Sequence, residues 1–99
     1  MSEPQSDTSI TFIGFVISLA HTAAVHFGDL AEPGHDTPAD ANLPAAQQII
    51  DILGLLEQKT KGNLTAEERQ VLEQVLYELR MRYVEAQRDA ADRPRIIHP

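Results

Sequence analysis

Four histidines and fifteen carboxylates are the side chains of this 99-residue sequence best suited to hold a metal or move a proton, and there is no cysteine. His21 and His26 are five residues apart, so on a helix their rings diverge by roughly 140°. The spacing that lets two imidazoles share one zinc is i, i+4. His35 and His98 stand in segments of irregular composition, and no metal site is expected. His21 reads as a polar member of a strip of small residues, hydrogen-bonded across an interface, with Asp51 as a conceivable partner. Glu67 and Glu68 open a helix, where the dipole favours carboxylates, and Glu73, Glu78, Glu85 and Asp89 line it beside Arg82 and Arg88 as ordinary solvated charge. The Gly62-Asn63 turn could offer free helix amides to an anion, but Glu68 is placed to occupy them. No nucleophile with its base, phosphate-cradling glycine loop or pair of buried carboxylates is recognisable, so no catalytic residue and no cofactor is expected.

Composition narrows the classes further. Without cysteine there is no disulfide framework, thiolate zinc site or thiol nucleophile. The formal net charge of −7 argues against a nucleic-acid binder, whose affinity rests on neutralising phosphates. That charge is uneven: residues 1–60 hold eight acids and one base, residues 61–99 seven of each. Arg80, Arg82, Arg88, Arg93 and Arg95 outnumber Glu85, Asp89 and Asp92 near the end. With no aromatic after Tyr83 to stack on bases, they read as a solvated helix end rather than an RNA contact.

The elements that position these residues are helical, and no strand-like alternation occurs. Residues 1–8 are polar and read as a frayed terminus. A first helix is expected over 9–27, starting at Thr8 or Ser9 and stopped by Gly28. Its face of Phe12, Phe15, Val16, Leu19, Ala23 and Phe27 is widened by Ile13, Ile17, Ala20 and Ala24 to more than half the circumference, so it must be surrounded by a core or a partner. Gly14, Ser18 and Thr22, spaced by four, either let two helices approach closely or make room in a bundle while the hydroxyls bond back one turn. A membrane span is disfavoured by the polar residues inside the segment and by the lack of any Lys or Arg before residue 59. A secretory signal fails on its acidic leading region.

Residues 28–43 have the acidic, Pro- and Gly-containing composition of a linker long enough to let the first helix leave its own chain. A second helix over 44–61 starts at Pro44 and buries Ala45, Ile49, Ile52, Leu53 and Leu56, with Ala46 and Ile50 beside them. A third over 65–92 opens with a Thr65/Glu68 capping box. The connection between them is short enough to predict an antiparallel hairpin. The third helix carries two stripes: Val71, Leu72, Val75, Leu76, Leu79 and Tyr83 toward the second helix, and Tyr77, Met81 and Val84 on nearly the opposite side, a candidate partner surface. Residues 93–99 read as a loose tail.

Phe12, Phe15, Val16, Ser18, Leu19 and Ala20 resemble the opening of an uncharacterised bacterial family, domain of unknown function 1844. So do Ile50, Asp51, Leu53 and Leu56, the run Lys59, Thr60, Gly62, Asn63, Leu64, Thr65 and Glu68, and Leu79, Arg80, Tyr83 and Val84. The resemblance spans about residues 12–84, with KTKGNLTAEE its most specific part. It implies a small helical bacterial protein and transfers no site.

The expectation is therefore an all-α, three-helix, cytoplasmic protein. Its second and third helices form a hairpin, and its first packs in an intersubunit core through Phe12, Phe15, Val16, Leu19, Ala23 and Phe27. A non-enzymatic homo-oligomeric interaction or scaffold module, a dimer by default, fits best. The alternatives are a peripheral membrane protein anchored by the first helix and an enzyme subunit with a pocket at the oligomer interface.

Overall fold

The computed structural model describes residues 10–92, which form three α-helices and no strand. The expected frayed start and loose tail lie outside the described residues. Helix α1 spans Phe12–Phe27, α2 Leu43–Lys59 and α3 Ala66–Asp92.

Local chemistry sets each boundary. Thr11, in extended geometry, caps α1 by accepting the Gly14 N–H on its hydroxyl at 2.9 Å, so the described helix begins at Phe12 rather than near residue 9. At the other end Gly28 adopts φ 84°, and the N–H groups of Gly28 and Asp29 donate to the carbonyls of Val25 and Ala24. This double bond pattern is a Schellman closure, which needs the left-handed residue that glycine supplies without a Cβ penalty. Asn42 caps α2 by accepting from Ala45 N–H, with Pro44 in the first turn where its missing donor costs nothing. At the start of α3, Thr65 N–H donates to Glu68 at 2.9 Å and Glu68 N–H to the Thr65 hydroxyl at 3.1 Å. The expected capping box is formed.

All three helices contribute to one core: Val16, Ala23 and Phe27 from α1, Ala46, Ile49, Ile50 and Leu53 from α2, Leu72, Val75, Leu76 and Leu79 from α3. The α1 members of this core belong to the face expected between subunits. Val16 and Ala23 are fully buried and Phe27 nearly so within a single chain, while Phe12 and Leu19 are half-buried against the same cluster. Most of the face expected between subunits is therefore filled by the chain's own α2 and α3. Only Phe15 of the six remains exposed, at 44%. A helix seated against two others is covered over a wide arc, and that accommodates most of the wide apolar stripe.

The linker permits this because it turns back instead of reaching away. Asn42 N–H donates to the His26 carbonyl at 2.6 Å, so the segment begins and ends beside the last turn of α1. On α2 the buried stripe is rotated from the expected one: Ile52 is exposed and Ala45 half-buried, with the core centred on Ala46, Ile49, Ile50 and Leu53.

Truncating Leu53, which has no exposed surface, to Ala is expected to cost about 2 to 5 kcal/mol in denaturant unfolding. Ile17→Ala, at a half-exposed position, is expected to cost less than about 1 kcal/mol, nearer the range of surface substitutions.

Candidate interaction surface

With the core closed, the uncommitted apolar side chains can be located. Tyr77, Met81 and Val84 project from α3 on the side away from its buried stripe and stay 63%, 53% and 45% exposed. Their i, i+4, i+7 spacing keeps them on one face. Val84 also lines an open groove between α2 and α3, together with Asp51, Gly54, Leu55, Arg80 and Tyr83. Leu55, 54% exposed, therefore extends the α3 stripe onto α2. Sequence reasoning passed over Leu55 because its neighbour Leu56 fits the buried stripe. Position 55 lies one residue, or about 100°, further round. Arg80 reaches over Gly54: a Cβ built there would sit 3.5 Å from its guanidinium. That is an ordinary van der Waals distance, so the position has room for a small side chain.

A second exposed apolar tract lies on α1, where Phe15 and Ile17 flank Gly14 and Ser18, with Ile10 just before the helix. The small-residue series does not make room inside the bundle. Gly14 is exposed, and the contact a Cβ would make there is with the Thr11 hydroxyl of its own cap. Ser18 and Thr22 donate their hydroxyls to the carbonyls of Phe15 and Ser18, which satisfies them locally.

Among the described residues the histidines and carboxylates form no group of three that could hold a metal ion. His21 is exposed, and Asp51, its conceivable partner, instead accepts from Gln47 at 2.8 Å on its own helix. Among the described residues, no helix is long and apolar enough to cross a membrane. At the start of α3 the Glu68 carboxylate accepts the Thr65 amide and the Thr65 hydroxyl accepts that of Glu68.

Arg82 departs most from the expected solvated pair on α3. Its Nε and Nη2 donate to the two oxygens of Asp29 at 2.9 and 2.8 Å, a bidentate bridge across 53 residues, while Glu85 lies 3.4 Å from Nη1. The same guanidinium stands 5.2 Å from the centre of the Phe27 ring, and Phe27 meets Tyr83 edge to face at 6.5 Å. One arginine thus ties the residue after the α1 stop to the middle of α3, through paired hydrogen bonds and cation–π attraction. Its hydrogen bonds hold the Asp29 carboxyl below the usual carboxylate range, against a smaller opposing effect of burial. Asp29 in turn raises Arg82. The sequence carried no signal for this pair, since Glu78 and Glu85 are equally suitable partners at helical spacing.

A protein-family model described as domain of unknown function 1844 matches residues 9–85. No curated protein and no solved structure matches the chain.

Asp29→Asn is expected to lower stability at neutral pH by about 0.2 to 1 kcal/mol, the range of solvent-screened bridges, since both side chains are partly exposed. Because the folded carboxyl is depressed, its contribution is present above the unfolded value near 3.8 and is lost as pH falls through the folded one. Thermal melts of the two proteins should therefore differ at neutral pH and converge in strong acid.

Proposed function

The chain belongs to the family called domain of unknown function 1844, and from that premise we propose that it is a small, non-enzymatic, homo-oligomeric interaction module. The observation that carries this reading is the Tyr77, Met81 and Val84 stripe with Leu55 beside it. These are large apolar side chains left on the surface of a chain whose own core is already closed. Scattered exposed hydrophobics are normal on soluble domains, whereas an aligned set marks an interaction face.

The expected antiparallel hairpin of α2 and α3 is part of this reading. Glu57 and Gln58 share a cavity with Arg69 and Leu72 near the connection, and Gln47 and Ile50, from earlier in α2, line with them a second one that reaches Tyr83 and Val84 further along α3. Opposite chain directions account for both pairings. The hairpin then serves as a frame that holds the α3 stripe outward.

Two tracts are available for self-association. One is the outer edge of α1, where Ile10, Phe15 and Ile17 would place that helix in an intersubunit core without disturbing its inner face. The other is the α3 stripe. A bacterial, cytoplasmic setting suits a cysteine-free domain of this kind, with the dimer as the simplest closed assembly.

Sedimentation velocity across the micromolar range tests the reading. The full chain is expected to show a mass rising from monomer toward dimer with concentration. A single monomeric species throughout would overturn the proposal.

A further inference from the structure

We propose that a second copy of this chain docks along α3, side by side and in the same direction, through Tyr77, Met81 and Val84. This rests on the reading of the chain as a self-associating module and names the seam.

Spacing is the first support. Gln74, Tyr77, Met81, Val84 and Arg88 alternate by three and four along one face of α3, the phase of the a and d positions where two helices meet. Tyr77 and Val84 take the d places and Met81 the a place between them. Glutamine before and arginine after mark the ends of a seam about 10 Å long at 1.5 Å per residue.

Charge selects the occupant and its direction. In this phase Arg80 falls at g on one flank, and Glu78 and Glu85 at e on the other. A parallel copy sets each Arg80 beside Glu85 of the other chain, and two-fold symmetry makes that pair twice. An antiparallel copy would instead bring the two e flanks together, Glu78 against Glu85, with like charges opposed. Both members of the favourable pair are available: among the described residues Arg80 has no carboxylate within salt-bridge distance. Glu85 is 65% exposed and meets, at 3.4 Å, an Arg82 already committed to Asp29.

The uneven charge of the chain agrees with this face. Between Tyr77 and Ala91 there are three arginines and three acids, whereas the net negative charge belongs to residues 1–60. Two chains of −7 thus approach with least repulsion along α3. Leu55, beside Val84 across the groove, adds apolar area at the rim. A seam of three side chains falls short of the roughly 1,200 Å² that stable interfaces bury, so the dimer is weak and reversible.

Charge reversal measured by sedimentation equilibrium tests the seam. Arg80→Glu and Glu85→Arg should each raise the dimer dissociation constant about fivefold or more, since each opposes like charges at two symmetric sites. The double reversal should return it to within about twofold of the native value, given that an exchanged pair has the same Coulomb energy. Met81→Glu should abolish the dimer while circular dichroism shows unchanged helix content, because Met81 lies outside the core. A native dimer indifferent to these changes but dissociated by Ile17→Glu would overturn the α3 seam and leave self-association standing. Stronger association of Glu85→Arg alone, or failure of the double reversal to restore it, would overturn the parallel arrangement. A native monomer at every concentration would overturn both the seam and the self-association on which it rests.

Discussion

Helix α1 has sixteen residues and not one Asp, Glu, Lys or Arg, so its wide apolar stripe must be taken out of water, and the rest of the structure follows from where that happens. Burial of apolar area is the dominant favourable contribution to folding, at about 25 cal/mol per Å². Leu53, Leu72 and Leu76 of α2 and α3 have almost no exposed surface. Val16, Ala23 and Phe27 join them in one cluster, and each element supplies what the others lack. Within one chain the three helices share this core.

Seating α1 in this way has consequences at its C-terminal end. The Gly28 stop reverses the chain, the linker returns through the Asn42 to His26 hydrogen bond, and Asp29 is delivered to Arg82. The Asp29, Arg82, Phe27 and Tyr83 group then fixes the end of α1 against α3. Arg82 and Tyr83 point to the inner side of α3, and the alternating positions Tyr77, Met81 and Val84 are left on the outer side. The exposed stripe is the complement of the core on the same helix, which is why the two share their spacing but not their exposure.

Much of this was legible in the sequence where a feature is local. The capping box at Thr65 and Glu68, the stop at Gly28, the buried series from Leu72 to Leu79 and the exposed stripe opposite it each depend on residues within a turn or two of one another. Periodicity fails where two registers are both apolar. On α2 the consecutive pairs Ile49-Ile50 and Leu55-Leu56 allow the stripe to rotate, so periodicity alone puts Ile52 inside, whereas Ile52 and Leu55 are both exposed. The covering of α1 was illegible for a different reason. An apolar face states that it must be buried but does not say by which chain, and a sixteen-residue linker is compatible with either answer. The Asp29 to Arg82 bridge depends on that same choice, because here it forms with α1 lying against its own α3.

The ring pair of Phe27 and Tyr83 therefore reports most directly on whether one chain completes the fold. In a mixture of isotope-labelled and unlabelled chains, denatured and refolded together, a filtered nuclear Overhauser spectrum separates contacts within a chain from those between chains. The Phe27 to Tyr83 contact is expected in the intrachain spectrum and absent from the interchain one. Its appearance between chains would contradict a core closed by a single copy and return α1 to an intersubunit core.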